Sequence, residues 1–311
     1  MKTRYLFYGF GSEYVLHQLY ERMCLDGISC IELDASVTPI TRQFIDELAT
    51  YNIVLITSAH ITLDQRSFYD IYMLEQLYLS PLELMVLLKP IRSVYIPHDL
   101  SCPLVEDEED YLQLFDYFLS PLPVDKLSFR GSNIEPCGWI KWMQSFDDSL
   151  ENSKNAIWFF SDIGYHHMKY GVHGTYNKIR PLLEQGVAIK FPQWPGIDAY
   201  EEYFRTQGIE VVPSTENTLS LIHEYRCIIT NSESSVVAEA YYYGKLTLNV
   251  LEQYKGNIQL QMFKGLEGLV FIDDIRTFRL DKIESSRTQE RVMQPFDYQK
   301  ACSLIRVYEQ E

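Results

Sequence analysis

The feature that most constrains the fold of this chain is the regular alternation of short apolar segments with amphipathic ones along its length. The pattern begins with the apolar segment 4–8, passes through a glycine-containing turn at 9–12 and then shows apolar residues at helical spacing between 15 and 23. Strands and helices that alternate over short connections predict parallel sheets with helices on both faces. We therefore expect an α/β protein built from doubly wound sheets.

Twelve strands are predicted, six in each half of the chain. They lie at 4–8, 28–33, 53–57, 93–96, 117–119, 132–134, 156–160, 187–191, 210–212, 227–230, 246–250 and 269–272. The polar segment 144–155 has no apolar periodicity and is the predicted linker. Because 311 residues suffice for two domains of ordinary size, we expect an N-terminal domain at 1–145 and a C-terminal domain at 156–295, with a cleft between them.

Residues 161–178 are predicted to form an 18-residue loop that contains three glycines and His166, His167 and His173. Loops of this length inside a compact domain are usually functional or mobile. The histidines do not have the spacing of a zinc site supported by Cys or carboxylates, so we expect no metal here. We interpret the loop as a lid that contacts phosphate.

The charge balance excludes nucleic acid as a partner. The net charge is −16, and residues 1–150 carry 22 acidic and 10 basic side chains, against 21 and 17 in residues 151–311. A protein that binds a nucleic-acid duplex needs a basic face, and neither half offers one.

The cysteines and the apolar segments point to a soluble protein of the cytoplasm. The six cysteines show no CxxC spacing and are expected to be reduced thiols. The N-terminus enters a strand without the apolar region of a signal peptide, and the longest apolar stretch, 82–88, is too short to span a bilayer.

The most informative local pattern is the buried strand at 227–230, a polar turn, and a helix predicted from about 235 to 243. Ser234 and Ser235 stand at the helix start, where unpaired backbone N–H groups and the helix dipole favour an anion. Glu239, one turn inside the helix, can accept hydrogen bonds from sugar hydroxyls. The pattern suits a nucleotide-activated sugar donor, but it also fits an ordinary strand–turn–helix unit with a serine cap.

The stretch Ser-Ser-Val-Val-Ala-Glu-Ala at 234–240, with Gly-Lys at 244–245, resembles the donor-side signature of two-domain GT-B transferases. The nearest group is that of the CDP-glycerol glycerophosphotransferases and capsule transferases, and the turn is also similar to that of UDP-N-acetylglucosamine 2-epimerases. Residues 187–192 resemble a transferase strand that ends in Ile-Lys-x-His-Pro. The resemblance implies two Rossmann-like domains facing across a cleft, and a final helix within 296–311 that packs back on the first domain.

The resemblance also implies roles for particular residues. Lys190, Ser234 and Ser235 would hold phosphates, and Glu239 would hold the ribose or the donor sugar. Ser232 would also belong to the donor-binding residues. A lysine that ends an apolar strand is itself expected to reach an anion or a carboxylate. His98, with Asp99 beside it, would be the base that takes the proton of the acceptor hydroxyl. The acceptor-side loop would comprise Gly9, Gly11 and Ser12.

The chain departs from the transferase pattern at three points. Phe191 replaces the family's histidine, Ser232-Glu233 replaces its Asp-Tyr pair, and Asp99 replaces a glycine. The donor region contains no Asp-x-Asp motif, so we expect no metal or other cofactor. Lys190 and the helix start would then stabilise the departing phosphate.

These observations predict a transferase that moves a sugar, or a glycerophosphate, from a nucleotide sugar or CDP-glycerol to a glycan or lipid-linked acceptor. The missing histidine at Phe191 favours sugar over glycerophosphate. The expected setting is cell-envelope polysaccharide synthesis in the cytoplasm, with peripheral contact to the inner face of the membrane where the acceptor is lipid-linked. The alternatives are a UDP-sugar 2-epimerase and a catalytically silent GT-B module with a binding role.

Overall fold

The computed structural model describes residues 2–9, 13–34, 40–58, 79–97, 111–127, 130–143, 154–161, 163–231, 234, 236–250, 269–283 and 291–307. The chain divides into two compact units. Residues 1–144 and 294–311 form the first unit, and residues 145–293 form the second. Each unit contains one parallel six-stranded sheet.

The first sheet has the strand order β2-β1-β3-β4-β5-β6, and every neighbouring pair is parallel. Its strands are β1 (Thr3–Gly9), β2 (Cys30–Asp34), β3 (Asn52–Thr57), β4 (Arg92–Tyr95), β5 (Tyr117–Ser120) and β6 (Ile134–Pro136). The helices described in this unit before the linker are α1 (Glu13–Leu25), α2 (Arg42–Leu48) and α3 (Pro81–Leu88). The central strands β1 and β3 are nearly continuous runs of buried apolar residues, as expected for a sheet covered on both faces.

The sequence dictates where α2 and α3 begin. The Thr41 hydroxyl accepts the backbone N–H of Phe44 at 3.2 Å. Ser80 and Glu83 form a reciprocal capping box at the start of α3, where Pro81 occupies the first turn. These contacts satisfy N–H groups that a helix start would otherwise leave unpaired.

The second sheet has the order β12-β11-β10-β7-β8-β9, again with every neighbouring pair parallel. Its strands are β7 (Lys154–Phe159), β8 (Val187–Lys190), β9 (Val211–Val212), β10 (Tyr225–Asn231), β11 (Leu246–Val250) and β12 (Val270–Ile272). The helices described are α4 (Ile163–Leu183), α5 (Ile197–Thr206), α6 (Thr218–Glu224) and α7 (Val236–Tyr242). Numbered within the unit, the strands follow the order 3-2-1-4-5-6 that is typical of dinucleotide-binding sheets.

The direction of each connection assigns the helices to the two faces of this sheet. The steps from β7 to β8 and from β8 to β9 run one way across the sheet, and those from β9 to β10 and from β10 to β11 run the other way. Because such crossovers are right-handed, α4 and α5 cover one face and α6 and α7 cover the other. The prediction of an α/β protein with two doubly wound, Rossmann-like domains is confirmed.

The prediction of a loop at 161–178 is wrong, because residues 163–178 belong to α4. The helix is interrupted at Gly171, whose backbone has φ 64° and ψ −177°. His166 is buried with its ring 4.8 Å from that of Phe160, and the ring of His173 lies 4.3 Å from that of Tyr203. This packing against aromatic rings overrides the low helix propensity of a segment rich in glycine and histidine. Residues 163–178 are therefore helical and not the loop that we interpreted as a lid.

The last described segment packs within the first unit. Helix α8 (Tyr298–Ile305) begins at Asp297, which caps the N–H of Lys300 at 2.9 Å. Arg92 at the start of β4 donates to the carbonyls of Leu304 and Arg306, both at 2.7 Å. Within the part of the chain that is described, no helix combines the length and the apolar character needed to cross a membrane.

Candidate functional site

The second sheet has a topological switch point between β7 and β10. From β7 the chain proceeds towards β9, and from β10 it proceeds towards β12, so helices α4 and α7 leave these two neighbouring strands on opposite faces. A crevice opens outside the carboxyl ends of strands at such a point, and ligands of open α/β sheets bind there. The candidate site is therefore the carboxyl edge around the ends of β7 and β10.

Asn231 and Ser161 hold the two strand ends together at this edge. The Asn231 side chain accepts the backbone N–H of Ser161 at 2.8 Å and donates to its carbonyl at 3.1 Å. The Ser161 hydroxyl donates to the Asn231 carbonyl at 2.6 Å, and the indole N–H of Trp158 donates to the Asn231 side chain at 3.2 Å. This network is buried or half-buried, so it sets the backbone of the switch point rigidly.

Neither Asn231 nor Ser161 was predicted from the sequence as a site residue. The available signal was a polar residue at the end of each of two apolar strands, at 161 and at 231. Whether two such strands are neighbours depends on strand order, which local patterns do not show.

The predicted donor turn follows β10 directly. Ser234 is half-buried, and its carbonyl accepts the N–H of Val237 at 3.1 Å at the start of α7. Glu239 lies one turn into α7 and is only 2 % exposed. Ser232 and Ser235 lie outside the described residues. The structure thus places Ser234 and Glu239 at the switch point, and their ligands stay predictions.

Lys190 ends β8, the strand beside β7, and its ammonium donates to the carbonyl of Ser214 at 2.9 Å. The partner that the structure shows for this ammonium is thus a backbone carbonyl, with two carboxylates nearby. Burial lowers the pKa of Lys190, and the nearby carboxylates of Glu201 and Glu216 act in the opposite direction. Glu201 in turn accepts the N–H of Ser214 at 2.8 Å. A phosphate would have to compete with this network, and the phosphate-binding role of Lys190 stays a prediction.

Phe191 belongs to the aromatic core beneath this edge. Its ring is fully buried and contacts those of Phe160, Tyr200 and Phe204, with centroids 5.1 to 5.9 Å away. The position that a histidine occupies in the resembling transferases therefore carries a structural ring in this chain.

Trp194 is a second feature of this edge that the sequence analysis missed. It follows β8 and is 49 % exposed, and its indole lies against the first turn of α4. Position 164 must stay small, because a Cβ on Gly164 would come within 3.1 Å of the indole. A half-exposed indole can stack on a sugar or a base. Its signal in the sequence was a tryptophan between Pro192 and Pro195 after a strand.

In the first unit, Gly9 ends β1 and pairs with Asp34 of β2. Strand β1 lies between β2 and β3, so its carboxyl end is the switch point of that sheet. Gly11, Ser12, His98 and Asp99 lie outside the described residues, and their predicted roles are untested.

The described residues contain no group of three or more His, Cys, Asp or Glu side chains that could hold a metal ion. The three histidines of α4 instead contact aromatic rings: His166 contacts Phe160, His167 contacts Tyr200 and His173 contacts Tyr203.

The chain matches no protein-family model and no curated protein. Among solved structures, the wall teichoic acid polymerase TagF, soaked with CDPG, has a TM-score of 0.52 at 11 % identity over 97 % of this chain and 87 % of that chain. Acinetobacter baumannii MurG has a TM-score of 0.48 at 10 % identity, over 98 % and 99 % of the two chains. The Methanocaldococcus jannaschii UDP-GlcNAc 2-epimerase in complex with UDP-GlcNAc and UDP has a TM-score of 0.47 at 11 % identity, over 97 % and 99 %.

The similarity to TagF extends over nearly the whole chain and concerns the fold alone. The resemblance to GT-B proteins that the donor turn indicated is thus confirmed at the level of the fold.

Proposed function

We propose that this protein is a GT-B transferase that moves a sugar, or a glycerophosphate, from a nucleotide-activated donor to a glycan or lipid-linked acceptor. The observation that carries the proposal is the switch point between β7 and β10, where a doubly wound sheet binds nucleotides and where Ser234 and Glu239 both lie. The proposed setting is cell-envelope polysaccharide synthesis at the cytoplasmic side of a membrane.

In this proposal each contact with the donor and the acceptor is assigned to a residue. Glu239 accepts hydrogen bonds from hydroxyls of the ribose or donor sugar, and the turn with Ser232, Ser234 and Ser235 holds the phosphates. Catalysis needs no metal, because backbone N–H groups stabilise the leaving diphosphate. Lys190 also stabilises it, once its ammonium gives up the hydrogen bond to the Ser214 carbonyl and binds the phosphate instead. His98, beside Asp99, takes the proton of the acceptor hydroxyl.

We favour a sugar over glycerophosphate as the group that is transferred. The ring of Phe191 is buried in the core and offers no imidazole for phosphate binding or proton transfer. A chain without this imidazole retains the donor turn and Glu239, which are the contacts suited to sugar hydroxyls.

The decisive experiment is a thermal-stability panel with UDP, CDP, GDP, UDP-sugars and CDP-glycerol. One nucleotide class should stabilise the wild type by about 2.7 kcal/mol at a hundred times its Kd. Glu239→Gln should abolish the shift, because the amide keeps the volume of the buried side chain but loses the carboxylate. A panel in which no nucleotide stabilises the wild type would overturn the proposal without reference to any variant.

The matched control is Glu210→Gln, which changes an exposed carboxylate. Glu210 lies just before β9, at the amino ends of the strands of the same sheet and not at their carboxyl ends. It should keep the full ligand shift. Unfolding of each variant without ligand shows whether the substitution itself damages the fold.

A catalytically silent module is the second candidate, because Phe191 is a core residue at a position where the resembling enzymes have a histidine. Transfer and hydrolysis of the stabilising donor should be followed by NMR, with and without acceptor. Transfer supports the proposed enzyme, and tight binding without turnover supports the silent module. A new epimer formed without acceptor would instead identify a 2-epimerase.

A further inference from the structure

Trp194 is presented by a tight turn just beyond the carboxyl end of β8. The Trp194 carbonyl accepts the N–H of Ile197 at 3.0 Å. Between them stand Pro195 and Gly196, and Gly196 has φ 83° and ψ 10°. These are the angles of the third residue of a type II turn, in which proline is common at the second residue. The sequence of the turn therefore fixes the position of the indole.

The indole lies with one edge against the first turn of α4. A Cβ on Gly164 would lie 3.1 Å from Cη2 and 3.2 Å from Cζ2 of the indole. Trp194 is nevertheless half exposed, so much of its ring surface faces solvent. Its neighbour Gln193 is an exposed amide, a group that can both donate to and accept from hydroxyls. A ring that is already fixed loses little conformational freedom when it binds a ligand.

Trp194 and Glu239 stand on opposite sides of the switch point between β7 and β10. Gly164 is three residues after Ser161, which is hydrogen-bonded to the Asn231 side chain. Three residues span at most about 11 Å, so the indole lies within about 15 Å of Ser161. It lies on the α4 face of the sheet, whereas Glu239 belongs to α7, which covers the other face.

This arrangement gives a bound donor a direction. A nucleotide-activated donor has a nucleoside at one end and the group to be transferred at the other, with the phosphates between them. If the phosphates bind at the turn before α7 and one end reaches Glu239, the other end extends towards the α4 face and Trp194. Glu239 is buried, which suits the nucleoside, because no acceptor has to reach it. The exposed indole suits the group that an acceptor must reach.

We propose that Trp194 is the platform on which the transferred group of the donor stacks, and that this group is a pyranose sugar. The inference rests on the proposed function and narrows its substrate. An indole face packs on the C–H face of a pyranose ring, whereas the open chain of glycerophosphate has no such face. Glu239 then binds the hydroxyls of the ribose.

The test is calorimetric titration of UDP-glucose, UDP-N-acetylglucosamine and GDP-mannose, each compared with its own diphosphate, UDP or GDP, and with CDP-glycerol. For the nucleotide sugar that binds the wild type, Trp194→Leu should weaken binding about tenfold, because stacking on the ring is lost. The affinity for the matching diphosphate should stay within about twofold of the wild type, since the diphosphate does not touch the indole in this proposal. Trp194→Phe should restore most of the affinity for the nucleotide sugar.

Fluorescence gives a second measurement on the same indole. The chain has four tryptophans, and the other three are buried. Binding of the nucleotide sugar should shift the emission of the wild type to shorter wavelength, because the exposed indole leaves water. The diphosphate alone should not produce this shift, and neither should the nucleotide sugar in Trp194→Phe.

The matched control is Phe271→Leu. Phe271 and Trp194 are both 49 % exposed, but Phe271 lies on β12, the edge strand that three strands separate from β8. This variant should bind the nucleotide sugar like the wild type. Unfolding of each variant without ligand shows whether the substitution itself damages the fold.

Three outcomes would overturn the inference and leave the donor site in place. They are equal losses for the diphosphate and the nucleotide sugar in Trp194→Leu, which would put the nucleoside on the indole; unchanged affinity for the nucleotide sugar in that variant; and a wild type that binds CDP-glycerol but no nucleotide sugar. A wild type that binds no nucleotide at all would instead refute the proposed function, and the inference with it.

Discussion

His17 on α1 connects that helix to the neighbouring strand β2. Its Nδ1 lies 3.0 Å from both carboxylate oxygens of Glu32, and its Nε2 lies 3.3 Å from Glu21. The hydrogen bond with Glu32 raises the pKa of His17 above its ordinary 6.5, although burial acts in the opposite direction. Because the folded state binds this proton more tightly, the stabilisation is complete below pH 6.5 and is lost as the pH rises through the folded-state pKa.

We expect Glu32→Gln to move the pKa of His17 down, as measured by NMR titration of its ring protons. Glu21→Gln should lower it less, because Glu21 contributes less to the shift. The His17 side chain is 43 % exposed, so its contribution to stability at low pH should stay below about 1 kcal/mol. An unchanged pKa in Glu32→Gln would refute the assignment of Glu32 as the main cause.

At the scale of single elements, helix α4 is interrupted at Gly171, whose φ of 64° and ψ of −177° are accessible almost only to glycine. Gly171→Ala should therefore destabilise the protein by about 1–3 kcal/mol, although no atom lies within 4 Å of the added Cβ. Denaturant unfolding measures this change. The sign of the change in unfolding free energy tests the helix break at Gly171. If α4 were continuous there, alanine would instead stabilise the protein by up to about 1 kcal/mol.

At the scale of the whole molecule, the chain returns to the first unit after completing the second. The returning segment bonds to residues 137–142: the N–H of Trp139 donates to Gln294, and the N–H of Asp297 donates to Cys137. Gly138 has φ 78°, and a Cβ there would lie 2.2 Å from the carbonyl oxygen of Pro295. Gly138→Ala should therefore destabilise the first unit by about 3 kcal/mol or more, which calorimetric unfolding can measure.

Gly27→Ala provides the control for this experiment. Gly27 has nearly the same φ, 79°, but a Cβ there meets nothing within 4 Å. Gly27→Ala should lower the free energy of unfolding only by the backbone strain of about 1–2 kcal/mol. Equal losses in the two variants would mean that the returning segment does not pass close to Gly138.

The strands could be predicted within two residues at each end because a strand buried on both faces is a continuous apolar run. Residues 246–250, for example, form β11 as predicted. The first part of α4, residues 163–175, could not be predicted, since its glycines and histidines have weak helix propensity. Its stability comes from the rings of Phe160, just after β7, and Tyr203 on α5, which contact it in the folded chain. Local patterns contain no information about those contacts.

The candidate site also combines features that the sequence predicts with features that only the folded chain shows. The sequence by itself determined that Ser234 and Glu239 follow a buried strand, that Lys190 ends another, and that the strands are parallel, because each of these depends on residues near in the chain. Only the tertiary structure decided that β7 and β10 are neighbours at a switch point, that Ser214 holds Lys190, and that Phe191 is a core ring. Those features depend on strand order and on contacts between residues far apart in sequence, which form only when the whole sheet is assembled.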